Sequence, residues 1–243
     1  SLDQRSNWMS ELMVEQNQAF LAYLDTWVDN LPVMTMKDAI PHPRRAAILS
    51  VDIIKGFCTI GPLASPRVDA IVDSIVDLMQ RSWDYGVRHV LLSQDTHEPD
   101  AKEFAAWPPH CVRGTAESET VEEIKALPFF DRMVRIEKNS IATGLDAELM
   151  DWLFTHQDVD TFIVVGDCTD LCVYQSAMFL RLDANSRQLD RRVIVPEINV
   201  QTYDRSNEEA ELQGGFPHPG NLLHQVFLYH MALNGVEVVK RIE

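Results

Sequence analysis

From residue 46 onward the apolar positions fall into short unbroken runs, separated by stretches of helical period. The runs cover 46–51, 88–93, 132–136, 161–165, 192–195 and 236–240, and their length and β-branched content predict strands. Between them the spacing predicts helices over about 66–85, 119–126, 146–155, from near Asp170 through Leu182, and about 220–233. Ser65 and Pro66 suit the cap and first position of the first of these. The alternation is βαβαβα, which predicts a three-layer α/β/α fold around a mostly parallel sheet.

Two segments depart from that rhythm. Trp8, Met9, Leu12, Met13, Phe20, Leu21, Leu24 and Trp27 recur at near-helical spacing over 6–28, ahead of the first strand. Pro32, Pro41 and Pro43 interrupt 31–44, which reads as a linker or wrap. Residues 1–44 therefore form a helical extension, packed on the core or on a neighbouring subunit, and 45–243 a single α/β domain. A polar insertion spans about 203–217.

The ends of the predicted strands carry chemistry. The first run ends at Asp52, the second at Asp95 and the third at Lys138, and the fourth leads into a turn holding Cys168 and Cys172. In an open α/β sheet, ligands bind at the carboxyl ends of the strands, so a carboxylate, an ammonium and a thiol are expected along one edge. Cys172 falls about one turn into a helix, where free N–H groups and the helix dipole favour thiolate and can receive an oxyanion. Thr169 and Asp170 suit the cap of that turn. A cysteine alone at such a place is more commonly a buried small hydrophobe; Asp52 as proton carrier and Lys138 as thiolate partner change its reading.

A second set lies in the loop after 88–93. Asp95 and His97 are two apart, His110 can fold back onto them, and Glu103 is a candidate fourth ligand. Imidazoles with a carboxylate suit zinc, manganese or iron and leave positions open. The alternative is a polar loop of hydrogen-bonded histidines. Cys111 reads as packing inward.

The net charge is −16, with 46% apolar and 24% charged residues. That balance suits a globular protein and argues against nucleic acid and anionic membrane as partners, since both call for a basic footprint. There is no apolar stretch of membrane length and no basic-then-apolar leader pattern. The cysteines (Cys58, Cys111, Cys168, Cys172) do not suggest a disulfide framework, so reduced thiols and a cytoplasmic protein are expected. Neither GxGxxG nor GxxxxGK[ST] occurs.

The run Gly166-Asp-Cys-Thr-Asp-Leu-Cys172-Val173 resembles the G-x-x-T-D-x-C-V nucleophile turn of the isochorismatase-like cysteine hydrolases. Val51-Asp52 through Phe57, Glu137-Lys138, Asp95-x-His97 and Trp107-Pro-Pro-His110-Cys-Val-Arg-Gly114-Thr115 are similar to segments of the nicotinamidases within that family. The resemblance covers about 45–200 and the last helix and strand. It implies a catalytic triad of Asp52, Lys138 and Cys172, and an oxyanion hole at the N–H groups of Cys168 and Cys172 after a cis peptide. It implies a divalent metal on Asp95, His97 and His110, and a substrate ring held between Phe57 and Trp107. The implied reaction cleaves a linear amide, nicotinamide to nicotinate and ammonia, through a thioester. The family commonly forms oligomers, so a homo-oligomer is expected. A related amidase (N-carbamoyl or maleamate-like substrate), a metal-water hydrolase with a structural Cys172, and a non-catalytic metal-binding or assembly protein are the alternatives. The chain departs from the family where D-x-Q-N-D-F becomes Asp52-Ile53-Ile54-Lys55-Gly56-Phe57, where Asp167 takes the place of a usually apolar residue, and in the extension and insertion.

Overall fold

The computed structural model describes residues 2–243, with side chains from 13 onward except at 14. Helix α1 (Leu2–Asp29) leads to strand β1 (Val33–Met34). The core strands are β2 (Ala46–Val51), β3 (His89–Asp95), β4 (Val134–Lys138), β5 (Thr161–Asp167), β6 (Arg192–Pro196), β7 (Val200–Gln201) and β8 (Glu237–Val239), and β9 (Arg241–Ile242) closes the chain. The longer helices between them are α2 (Val72–Tyr85), α3 (Ala147–Thr155), α4 (Cys172–Arg187), α5 (Asn207–Gln213) and α6 (Gly220–Leu233).

The main sheet runs β4-β3-β2-β5-β6-β8, with β7 pairing the end of β5, and every pairing is parallel. Strands β2 and β5 lie at its centre and are buried along their whole length. That is why they read as unbroken apolar runs rather than alternating ones. Successive side chains of β5 go to opposite faces: Ile163 and Val165 join Ile75, Leu78 and Met79 of α2, while Phe162 and Val164 join Leu149, Val173, Leu180 and Leu228 of α3, α4 and α6. Two apolar layers thus cover the sheet, giving the predicted three-layer fold.

Several boundaries move. The predicted helix over 66–85 divides into a turn at Pro66–Asp69 and α2, and Ser65 caps through its backbone, its side chain making no capping bond. The predicted helix at 119–126 shortens to Glu122–Lys125. Strands β3 and β5 each run two residues further than their apolar cores, to Asp95 and Asp167, because polar residues can keep the ladder where the strand end is buried.

The extension packs on the domain. Leu24 and Val28 of α1 are buried, and Phe20, Tyr23 and Trp27 gather around Tyr229 of α6. The side chains of Trp8, Met9 and Leu12 lie outside the described residues. The segment read as a linker holds β1, which pairs in parallel with β9 at Val33↔Arg241 and Met34↔Ile242. Among the described residues no helix is long and apolar enough to cross a membrane.

The chain passes outward from β2 through β3 and β4, then returns to the other side at β5. The seam between β2 and β5 is therefore the topological switch point, where an open α/β sheet offers a crevice at its carboxyl edge. Gly166 keeps that seam tight. It sits opposite Val51 with φ at 118°, and an added Cβ would come within 2.8 Å of the Val51 backbone nitrogen and carbonyl carbon. Gly166→Ala is expected to lower stability by at least about 2 kcal/mol, read as a shift of the denaturant midpoint; an unchanged midpoint would mean that the seam tolerates a side chain.

Candidate active site

Asp52 follows β2 directly and takes a left-handed conformation, φ 55°, uncommon for a non-glycine residue but tolerated best by Asp and Asn. The turn brings its carboxylate across to β3, where Oδ1 accepts the Asp95 N–H at 2.7 Å. Lys138, the last residue of β4, lies with Nζ 2.8 Å from Asp52 Oδ2 and also pairs with the carboxylate of Asp95. The same ammonium donates to Cys172 Sγ at 3.6 Å. Asp52, Asp95, Lys138 and Cys172 are all buried, none more than 5% exposed. Lys138 is thus no solvated surface charge but the hub of a buried group.

Charge and burial compete in this group. Burial works against the Lys138 ammonium, but Asp52 and Asp95 outweigh it and keep the lysine charged well above its ordinary range. Burial, reinforced by the Asp95 charge, raises Asp52 to about 6 against the pull of Lys138. Asp95 is also penalised by burial, yet Lys138 and the two histidines hold it below the usual carboxylate range. Cys172 corrects the thiolate expectation. Burial pushes its thiol well up, and Asp52 and Asp95 add to this, so Lys138 only partly offsets them. The surroundings of the Cys172 sulfur thus favour its thiol form, with the Asp52 carboxylate close by.

The turn that carries Cys172 is built differently from its sequence reading. Cys172 is the first residue of α4, so its N–H belongs to the helix end that has no acceptor within the helix. Leu171 stands at the cap position and makes no side-chain bond there. Thr169 and Asp170 turn away from the cap because buried tertiary partners claim them. The Thr169 hydroxyl meets His224 Nδ1 at 2.7 Å, and Asp170 accepts from Thr202 Oγ1 at 2.6 Å and from His218 Nε2 at 2.7 Å. The peptide between Asp167 and Cys168 is cis. Cys168 and Cys172 both face the cleft.

Next to this group Asp95, His97, Glu103 and His110 converge, each offering a ligand atom within 4.8 Å of the others. His97 Nε2 is 3.4 Å from Asp95 Oδ2 and 3.8 Å from Glu103 Oε1, and His110 Nε2 is 3.8 Å from Asp95 Oδ2. Each imidazole is oriented from behind: His97 Nδ1 meets Asn139 Oδ1 at 3.0 Å, and His110 Nδ1 meets the Pro108 carbonyl at 2.7 Å. Because both partners accept, the proton sits on Nδ1 and each Nε2 faces the cluster, as in histidines that ligate metals. The buried Nε2 of His97 has no hydrogen-bond partner among the described residues. Burial opposes charge on His97, yet Asp95 draws its pKa upward, so the pocket favours positive charge. The donor set therefore suits a divalent metal. Cys111 is fully buried and outside the cluster.

Both sets open on a cleft of about 800 Å³. Phe57 and Trp107 form part of its walls, with Phe57 5.7 Å from the His110 ring and Trp107 6.3 Å from Tyr203. The insertion supplies much of the outer wall through Tyr203, Arg205 and Phe216. It folds as α5, closed by a capping box at Ser206 and Glu209, and its neck is an antiparallel bridge between Arg205 and His218. The parts played by Asn139, His218, Tyr203, Arg205 and Phe216 go beyond the sequence reading, which points to Phe57 and Trp107 alone among the cleft's aromatic walls. Asn139 had one signal, its place directly after Lys138; the others act across long sequence separations.

The Isochorismatase domain family matches residues 46–223. The chain is 29% identical to "Nicotinamidase 1" of Arabidopsis thaliana over 220 residues, covering 80% of this chain and 85% of that one. It is 31% identical to "Nicotinamidase/pyrazinamidase" of Mycobacterium tuberculosis over 162 residues, covering 61% and 83%. A pyrazinamidase of Pyrococcus horikoshii solved in complex with zinc shares the fold, with TM-score 0.63 at 21% identity over 81% of this chain and 99% of that one. With its parallel sheet, its switch-point cleft and these matches, the chain belongs to the isochorismatase family of hydrolases, in its nicotinamidase-like branch.

Proposed function

We propose that this protein is an amidase that cleaves the C–N bond of a pyridine carboxamide, with nicotinamide as the reference substrate, through a Cys172 thioester. The observation that carries this reading is the buried contact of Lys138 with Asp52, Asp95 and Cys172 at the switch point. The named nicotinamidases among the relatives support the substrate class.

In this mechanism Asp52 takes the Cys172 proton as Sγ attacks the amide carbon. The N–H groups of Cys168 and Cys172 receive the developing oxyanion. Asp52 then returns the proton to the amide nitrogen and ammonia departs, leaving the acyl group on sulfur. A water, deprotonated by Asp52, attacks the thioester; the acid is released and Cys172 regains its proton. Lys138 keeps Asp52 ionised at the start of each half-reaction and offsets the charge on sulfur. Phe57 and Trp107 hold the ring in the cleft. Asp95, His97 and His110, with Glu103 beside them, would hold a zinc, manganese or iron ion. When bound, that ion supplies a Lewis-acid contact for the ring nitrogen and so fixes the ring's direction.

Ammonia release from nicotinamide is the direct test. Cys172→Ala is expected to lower kcat at least ~10³-fold with its circular dichroism unchanged. Activity retained in that variant would favour a hydrolase working through metal-bound water. His97→Ala is expected to lose bound metal by elemental analysis and to raise KM. Metal content equal to wild type would remove His97 from the ligand set. Chelator treatment of wild type is expected to lower Tm, since a ligand bound to the folded state alone stabilises it by mass action. Lys138→Met leaves two buried carboxylates without their counter-charge, and a loss of about 3–5 kcal/mol is expected in denaturant unfolding. A loss under about 1 kcal/mol, the size typical of exposed pairs, would mean that Lys138 is not the hub.

A further inference from the structure

We propose that Asp167 is a specificity-determining residue whose carboxyl hydrogen-bonds a polar substituent of the substrate, so that the preferred substrate is a hydroxyl- or amino-substituted ring carboxamide rather than plain nicotinamide. The inference rests on the amidase reading above and narrows its substrate class.

Asp167 closes β5 one residue before Cys168, on the strand face that carries Ile163 and Val165. It lines the cleft together with Asp52, Phe57, Cys168 and Cys172. Only 1% of it is exposed, and its buried Oδ1 has no hydrogen-bond partner among the described residues. Its other oxygen meets the weak donor Cys168 Sγ at 3.7 Å. A buried polar atom left unpaired costs about 1–3 kcal/mol, and an apolar side chain of similar size would avoid that cost. An orphan of this kind at a cleft wall calls for a partner that arrives with the ligand.

The atoms of nicotinamide do not supply one. In the proposed reaction its carbonyl oxygen faces the N–H groups of Cys168 and Cys172, its amide nitrogen faces Asp52, and its ring nitrogen faces the Asp95, His97 and His110 set. What remains of the ring is C–H edge, which would leave Oδ1 as unpaired as before. A hydroxyl or amino group on that edge would satisfy it. Burial and the neighbouring Asp52 push Asp167 well above the usual carboxylate range, and a neutral carboxyl both donates and accepts. The cleft, at about 800 Å³, has room for substituents.

The test is steady-state kinetics of wild type, Asp167→Leu and Asp167→Asn on nicotinamide and on nicotinamides bearing an amino or hydroxyl group at each free ring position. At least one substituted amide is expected to exceed nicotinamide in kcat/KM by at least ~10-fold in wild type, since a site built to hydrogen-bond a group rejects the analogue lacking it. That ratio is expected to fall at least ~10-fold in Asp167→Leu and to survive largely in Asp167→Asn, which keeps a donor and an acceptor. Should Asp167→Leu fold poorly, the smaller Asp167→Ala takes its place, and the ratio is expected to fall there by the same factor. Turnover of nicotinamide with no preference in wild type, or one ratio shared by all three proteins, would overturn the inference and leave the amidase reading intact. No ammonia from any of these amides would overturn both.

Discussion

One ammonium holds the site together. Lys138 lies against Asp52, Asp95 and Cys172 in a region closed to water. Burying an ion pair is expensive, and removing one partner is costlier still because the other is left uncompensated. Lys138 therefore ties three strand ends together: β4 brings the lysine, β2 leads to Asp52, and β3 ends at Asp95. Asp95 is shared, since one side faces the lysine and the other the histidines. The proposed nucleophile site and the proposed metal site are thus joined through a single carboxylate. The group carries two carboxylates against one ammonium, so the surplus negative charge stands where a dication would be welcome.

The backbone makes that convergence available. A parallel sheet that reverses its winding between β2 and β5 leaves a crevice there. Gly166 lets the two strands stay in register to the edge, and the left-handed turn at Asp52 directs its side chain sideways toward β3 rather than onward into solvent. Cys172 enters from the far side of the seam at the start of α4. The resting thiol follows from this placement: burial and two carboxylates outweigh one lysine that is already engaged.

The insertion is braced to the same turn. His218 reaches from the neck of the insertion to Asp170, Thr202 bonds the other oxygen of that carboxylate, and Arg67 joins Thr202, Gln201 and Asn221. The outer wall of the cleft and the turn that carries Cys172 are therefore fixed by one polar network. Asp170 is held below its usual range because His218 and Thr202 outweigh its burial. That is the signature of a carboxylate satisfied by its surroundings, in contrast to Asp167, three residues earlier in the chain.

Local sequence set the alternation of strands and helices, because apolar runs and helical periods depend on near neighbours and repeat over several residues. It also determined which side chains stand at strand ends, and so brought Asp52, Asp95, Lys138 and Cys172 to one edge in expectation. It did not determine what those groups feel. The upward shift of the Cys172 thiol, the sharing of Asp95 and the orientation of His97 by Asn139 depend on burial and on neighbours in other strands. Nor did it determine that Thr169 and Asp170 leave the helix cap, since their partners at 202, 218 and 224 lie 32 to 55 residues away. Pattern is legible in a line of residues because it depends on near neighbours; electrostatics and bracing are decided only when the chain closes on itself.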